Sequence, residues 1–318
     1  MKTAITADVH LKDKSDSLNR WQALENIFNQ LKEKDIDNLI IAVDLFDQDS
    51  YNYSDFDKLC QQYKDIQLHI IPGNHDLNLQ QSDFTADNIK IYQLPQLVEQ
   101  STTKVFFIPY FEDKSMGDVL AEYEDQLNSP WMLIGHGNWA ETIRSTNSIE
   151  PGVYMPLSRK VIQRYQPNLT IIGHIHKKMD NQKHKVYYPG SPMGLDITET
   201  GKRSYLILDF DSLEVTRQEI NAPKIYFNEQ VVVYPMEDEQ KYWQKEIDKL
   251  KKKWNLTIKE KQQAVIRINI SGFSSNKRKL KSYFQKEFAD FEGWKNEKIN
   301  VEQVNSSDNY ELLNISQE

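Results

Sequence analysis

Five short apolar runs of strand type recur along residues 1–176, and each gives way to polar residues at its C-terminal end. Residues 2–6 precede Asp8, 39–43 precede Asp44, 68–71 precede a turn at Gly73, 131–134 precede His136, and 169–172 precede His174. Strands covered on both faces read as continuous apolar runs, and in α/β sheets sites form beyond the carboxyl ends of such strands. The pattern therefore predicts one rim to which five segments deliver polar side chains. Helical spacing lies between the runs. Trp21, Leu24, Ile27, Phe28 and Leu31 share a face, with Ser15 to Ser17 as N-cap candidates and Asp35 ending the pattern. Residues 56–63 read as a second helix, and 104–109, 185–188, 204–209 and 214–220 as further strands. The number of strands predicts an α/β fold of two stacked mixed sheets flanked by helices.

The character of the chain changes near Asn221-Ala222-Pro223. Beyond it, 230–234 reads as a strand, 237–254 as a charged helix, 264–270 as a strand and 276–288 as another helix, and the last stretch is polar. The expected organisation is a domain over 1–222, a small α+β domain over 223–305 and a polar tail over 306–318. A single cysteine, Cys60, excludes an internal disulfide and suits a reducing cytoplasm; within its helix it is expected as a small buried residue. There is no apolar leader before the first strand and no run approaching 18 apolar residues, so a cytoplasmic protein is expected, neither secreted nor membrane-spanning.

The strand ends carry the chemistry. Asp8-Val9-His10, Asp44, Gly73-Asn74-His75-Asp76, Gly135-His136 and Gly173-His174-Ile175-His176 hold five of the seven histidines. Neutral imidazoles and carboxylates in this arrangement suit a pair of divalent ions that activates water for attack on a phosphate ester. Two ions about 3.5 to 4 Å apart need a shared ligand, and a carboxylate bridges where an imidazole cannot, which makes Asp44 the natural bridge. Asp8 and His10 can face one metal, His174 and His176 can each take a different ion, and Asn74 offers a neutral amide oxygen. Gly73, Gly135 and Gly173 suit strand-to-loop turns, because glycine tolerates both positive φ and close backbone approach. A lone Asp-x-His or Gly-His pair is a common accident, but five in order at strand ends are not. His69, inside a strand, is expected as a packed, hydrogen-bonded residue, and His184 as a solvated hairpin residue.

These motifs resemble the calcineurin-like metallophosphoesterases, and Thr6-Ala7-Asp8-Val9-His10-Leu11, Asp44-Leu45-Phe46-Asp47, Ile71-Pro72-Gly73-Asn74-His75-Asp76 and Tyr188-Pro189-Gly190-Ser191-Pro192 followed by Ser204-Tyr205-Leu206 resemble the SbcD branch of DNA repair and recombination nucleases, phage relatives included. The resemblance spans roughly residues 1–220. It implies a four-layer fold with a small capping domain after it. It implies Asp8, His10, Asp44 and His176 as ligands of one ion, and Asp44, Asn74, His136 and His174 as ligands of the other. His75 becomes the catalytic histidine that is not a ligand, with Asp76 accepting a hydrogen bond from its ring. The family usually has glycine before the bridging aspartate. Val43 stands there in this chain, and valine argues for a β conformation that can re-aim Asp44.

The implied activity is metal-dependent DNA cleavage, as an exonuclease on duplex ends and an endonuclease on single strands. Manganese is the first expectation, with magnesium, iron or zinc as alternatives; nitrogen and oxygen donors without thiolate fit manganese, iron or zinc alike. An SbcC-like ABC-type ATPase and a second copy of the chain are the implied partners. The net charge is -8, but residues 241–300 hold 16 basic and 7 acidic side chains, which is +9, and leave -17 for the rest. The clusters Lys251, Lys252, Lys253 and Lys277, Arg278, Lys279, with Trp243, Trp254, Tyr283 and Trp294 among them, can hold a phosphate backbone; the plain alternative is a solvated helix face. Two rival functions remain open. One is a phosphatase or small-molecule phosphodiesterase on the same fold, which has no need of a basic second domain; the other is a DNA-end-binding scaffold with weak catalysis.

Overall fold

The computed structural model describes residues 1–48, 52–101, 103–127, 130–140 and 152–306. They form two compact units, Met1–Met193 with Arg203–Ala222, and Gly194–Lys202 with the chain from Pro223 onward. The expected polar tail beyond Ser306 lies outside the described residues.

The first unit holds two six-stranded mixed sheets. One contains β1 (Lys2–Thr6), β2 (Asn38–Ala42), β3 (Gln67–Ile71) and β4 (Ile89–Ile91) in parallel, extended past β1 by antiparallel β11 (Ser204–Asp209) and β12 (Glu214–Glu219). The other contains β6 (Thr103–Ile108), β7 (Trp131–His136), β8 (Leu169–Gly173) and β10 (Val186–Tyr188) in parallel, edged by antiparallel β5 (Gln96–Gln100) and β9 (Met179–Asn181). The pleat explains the apolar runs. Val105 and Phe107 of β6 and Met132 and Ile134 of β7 join Ile5, Ile40 and Ile71 in a cluster drawn from both sheets. Their alternates Phe106, Ile108, Trp131 and Leu133 pack instead with Met116, Val119 and Leu120 of helix α3 (Met116–Glu122). Each such side chain, fully buried, contributes roughly 1.5 to 3 kcal/mol of transfer free energy.

Helix α1 (Lys14–Glu33) buries Trp21, Leu24, Ile27, Phe28 and Leu31, the face anticipated from their spacing. Its cap position is Asp13, and Ser17 breaks the helix at φ -136°, where its hydroxyl bonds back to Lys12. Helix α2 (Tyr53–Gln62) buries Cys60, and burial pushes that thiol up beyond its ordinary range. His69 on β3 stacks near Tyr92 and bonds its hydroxyl at 2.7 Å, while His184 lies half-buried in the β9–β10 turn against Trp139. Edge strands β4, β5 and β9, and the seven-residue helices α3 and α4 (Arg159–Tyr165), have no counterpart in the apolar pattern.

The second unit is a sheet of β13 (Ile225–Val233), β14 (Ala264–Ser274), β15 (Glu292–Gly293) and β16 (Ile299–Ser306). Every described pairing in it is parallel, and helices α5 (Glu239–Trp254), α6 (Ile258–Gln263) and α7 (Lys277–Glu287) alternate with the strands. The alternating strands and helices expected here are present, and the crossovers are of βαβ type, because parallel neighbours cannot be joined by a tight hairpin. Trp243, Ile247, Leu250 and Trp254 of α5 and Leu280 and Phe284 of α7 share a core with the sheet. Among the described residues no helix is long and apolar enough to cross a membrane.

Candidate metal centre

Asp8 and His10 follow β1, Val43 and Asp44 follow β2, Asn74, His75 and Asp76 follow β3, His136 ends β7, and His174 and His176 follow β8. All lie in the first unit. The loops brace one another through Asp8 N–H to the Val43 carbonyl at 3.2 Å and His10 N–H to the Asp44 carbonyl at 3.0 Å. Two bonds from backbone to carboxylate tie the candidates together: His174 N–H donates to Asp8 Oδ1 at 2.7 Å, and His75 N–H to Asp44 Oδ1 at 3.1 Å. The first of these joins the two sheets.

The side chains fall into two groups. Ligand atoms of Asp8, His10 and His176 all lie within 4.8 Å of one another, with the Nε2 atoms of the two histidines 3.0 Å apart. Asp44 Oδ2 lies 3.8 Å from His136 Nδ1, and the His136 and His174 rings are 4.9 Å apart. Asp8, His10, Asp44, His136, His174 and His176 are buried, whereas Asn74 and His75 are half-buried. Tyr110 and Tyr154, both half-buried, set their rings against His136 and His174.

The electrostatics suit a cation. Burial, and after it the His176 and His75 rings, hold His10 well below the usual imidazole range; burial, His174 and His75 do the same to His136. Both rings are therefore kept neutral, the form that binds metal. Burial, with the carboxylates of Asp76 and Asp8, pushes Asp44 well above its ordinary value, as an uncompensated cluster of acids must. His10 Nδ1 and both ring nitrogens of His136 are buried without a hydrogen-bond partner among the described residues. Buried polar atoms of this kind are costly unless something binds them, and imidazole with carboxylate is a donor set for divalent metals. The residues present fit a metal centre.

Three expectations need correction. Asp76 does not reach the His75 ring: its carboxylate accepts from Gly73 N–H at 2.7 Å and Phe46 N–H at 3.1 Å, tying two loops together, and burial raises it to about 6. The partner of His75 Nδ1 is Asp47 Oδ1 at 3.2 Å. Against the opposing effect of burial, the bonds from His75 and Lys12 hold Asp47 far below the usual carboxylate range. Second, Val43 is not in a β conformation; its φ is +92°. Asp8, His10, Asp44 and His174 also have positive φ, at +54°, +52°, +48° and +108°. Third, positive φ is not what Gly73, Gly135 and Gly173 provide. They allow close approach: a Cβ at 73 would sit 2.0 Å from Asp44 Oδ1, one at 173 would sit 2.2 Å from the Ala42 carbonyl oxygen, and one at 135 would sit 2.9 Å from that of Ile108.

Sequence reasoning passed over Asp47, Lys12 and Arg20, although Asp47 lies three residues after Asp44 in the same motif. Lys12 Nζ and Arg20 Nη1 each lie 3.2 Å from Asp47 Oδ2. In the second unit the basic clusters divide. Lys251 pairs with Glu287, Lys253 pairs with Glu229, and Lys277 donates to the Glu302 carbonyl. Lys252, Arg278 and Lys279 are exposed and have no ion pair among the described residues. Trp243 and Trp254 are core residues, while Tyr283 and Trp294 are half-buried.

A sequence model of the calcineurin-like phosphoesterases matches residues 1–178. No curated protein matches the chain. Solved structures similar to it include an archaeal phosphodiesterase, at 16% identity over 69% of this chain and 100% of that one with a TM-score of 0.37. The phosphoesterase YfcE from E. coli is 14% identical over 70% of this chain and 100% of its own, with a TM-score of 0.35. The nuclease MPE from Pseudomonas putida is 16% identical over 41% of this chain and 58% of its own, with a TM-score of 0.27. Likenesses this distant carry no argument about substrate.

Proposed function

The chain belongs to the calcineurin-like phosphoesterase family and is a metal-dependent phosphoester hydrolase; from that premise we propose that it is a DNA nuclease, acting on duplex ends as an exonuclease and on single strands as an endonuclease. Asp8, His10, Asp44 and His176 would hold one divalent ion, and Asp44, Asn74, His136 and His174 would hold the other. When bound, the pair supplies Lewis acidity and water activation; nitrogen and oxygen donors without thiolate suit manganese, iron or zinc, and manganese is the ion proposed. His75 stays outside the ligand set. Its Nδ1 lies 3.2 Å from Asp47 Oδ1, and in this reading Nε2 is the atom that protonates the leaving oxygen of the ester.

The observation that extends phosphoester hydrolysis to DNA is charge. Residues 241–300 carry 16 basic against 7 acidic side chains, in a chain of net charge -8. Of the six residues in the two basic clusters, Lys252, Arg278 and Lys279, exposed on α5 and α7, are without an ion pair among the described residues and so available to a phosphate backbone. An SbcC-like ATPase, a second copy of the chain and a cytoplasmic setting belong to the same reading. One observation favours the small-molecule phosphodiesterase instead: Lys251 and Lys253 are taken up in ion pairs with Glu287 and Glu229, and Lys277 in a bond to a backbone carbonyl. The test is end-labelled duplex and single-stranded DNA with Mn²⁺, Mg²⁺ or EDTA, beside a chromogenic phosphodiester. Metal-dependent cleavage of DNA is expected. Turnover of the small ester without DNA cleavage, alone or with a candidate ATPase, would make the second reading the right one.

A further inference from the structure

Arg20 projects from α1, and its side chain is only 15% exposed. One of its guanidinium nitrogens, Nη1, donates both to the carbonyl oxygen of His10 and to Asp47 Oδ2. The other oxygen of that carboxylate lies 3.2 Å from His75 Nδ1. A single side chain on a helix thus touches the backbone of a candidate ligand and the carboxylate that orients the candidate acid. His10 holds a left-handed backbone at φ +52°, a conformation that persists only where its surroundings fix it. Lys12 also reaches Asp47, but it is 37% exposed and carries its charge on a flexible stem, whereas a guanidinium is a planar, preorganised fork.

We propose that Arg20 is a positioning residue for phosphoester hydrolysis: it fixes the Asp47 carboxylate against His75, and so aims the far ring nitrogen at the leaving oxygen. The inference rests on the reading of His75 given above. In the step concerned, the proton on His75 Nε2 passes to the leaving oxygen as its bond to phosphorus breaks. The oxygen of the attacking water forms the new bond to phosphorus, and its proton goes to solvent. Arg20 touches neither substrate nor reacting atoms; it limits the directions the ring can take.

Leaving-group dependence separates this role from a purely structural one. A weakly basic leaving group such as p-nitrophenolate departs without help from an acid, but phenolate needs the proton. For aryl diesters of thymidine 5′-phosphate, Arg20→Gln should lower kcat on the phenyl ester by about tenfold to a hundredfold, part of the roughly 10² to 10⁴ that general acids supply. The p-nitrophenyl ester should change by less than about threefold, and KM and bound metal should not change. Arg20→Lys should recover part of the loss, and it carries the same comparison if Arg20→Gln fails to fold. In a His75→Ala background the Arg20 change should have no further effect on the phenyl ester, since residues acting as one unit are not additive. A readout independent of turnover is the His75 Nδ1–H resonance of the metal-free protein, which should be shifted downfield by Asp47, broadened or lost in Arg20→Gln and kept in Arg20→Lys. Equal loss on both esters, additive with His75→Ala and with the resonance unchanged, would reduce Arg20 to a support of the fold alone. A raised KM at constant kcat would make it a phosphate ligand. A wild-type rate on the phenyl ester that is indifferent to His75→Ala would overturn the role of His75, and this inference with it, while leaving metal-dependent hydrolysis standing.

Discussion

Val43 offers a measurement of backbone strain at the metal centre. The residue is fully buried between the sheets, yet its φ is +92°, a region that a β-branched side chain strongly avoids. Replacing it by Ala or by Gly removes the same two methyl groups, so the loss of transfer free energy and the cavity they leave cancel to first order in a comparison of the two variants. Glycine loses one further carbon, roughly 0.8 kcal/mol, and roughly 0.5 to 1 kcal/mol through its freer unfolded chain. In an ordinary strand Gly is therefore worse than Ala by about 1.3 to 1.8 kcal/mol. At position 43 the strain of the left-handed backbone, roughly 1 to 3 kcal/mol, is present in Ala and absent in Gly.

The two effects oppose each other, so Val43→Gly should lie between about 0.8 kcal/mol below and about 1.7 kcal/mol above Val43→Ala. Val105 is the control, being fully buried in the same cluster and absent from the positive-φ residues. There Val105→Gly should fall below Val105→Ala by about 1.3 to 1.8 kcal/mol. Equilibrium urea unfolding in EDTA measures the four variants without metal linkage. A gap between Gly and Ala as large at 43 as at 105 would show that position 43 carries no strain, and would refute the reasoning.

Asp44→Ala should lower the content of both metals, whereas His75→Ala should leave metal bound and cost about 10² to 10⁴ in rate, as elemental analysis beside turnover will show; equal metal loss would overturn the division of roles. His69 is held at about 4 by burial and then by Lys90, so below its ordinary value of about 6.5 the unfolded chain takes up a proton that the folded chain refuses, and stability falls as pH drops toward about 4. Between about pH 7.5 and pH 5 the wild type should lose about 2 kcal/mol more than His69→Gln in urea unfolding, and identical pH dependence would contradict this. Charge reversal at Lys252, Arg278 and Lys279 should weaken duplex binding and flatten its log–log salt slope by roughly 0.9 for each phosphate no longer neutralised. An unchanged slope would mark these residues as a solvated face.

The sheets were legible because their central strands are covered on both sides. Trp131 and Leu133 face the helix layer while Met132 and Ile134 face the other sheet, so no polar position interrupts the run. β5 was not legible, since Gln96, Glu99 and Gln100 leave an edge strand with little apolar signal, and β16 hides its pattern behind a register shift opposite Asn269 and Ser271. The candidate ligands could be read from spacing. Their supports could not, because they depend on where loops meet. Asp76 adjoins His75 in sequence, but consecutive side chains diverge and its carboxylate is claimed by two backbone N–H groups. Asp47 and Arg20 reach the site from 28 and 10 residues away in sequence, the distances of Asp47 from His75 and of Arg20 from His10.

Positive backbone angles at Asp8, His10, Val43, Asp44 and His174 put strain where the site is built. Each such residue costs roughly 1 to 3 kcal/mol and needs surroundings that over-determine it. Those surroundings are visible: the loops after β1 and β2 hold each other through the bonds from Asp8 and His10, and His174 N–H reaches across to the Asp8 carboxylate. That last bond joins loops from different sheets, and each candidate group draws on both, so the distances within each group are set by how the sheets stack. The apolar cluster between them, with Ile5 and Ile71 from one sheet and Ile134 and Ile171 from the other, therefore acts on the chemistry at a distance. A cavity there, two or three residues along the strands from the candidate ligands, would loosen the register between the sheets, and with it the distances from Asp8 and His10 to His176 and from Asp44 to His136.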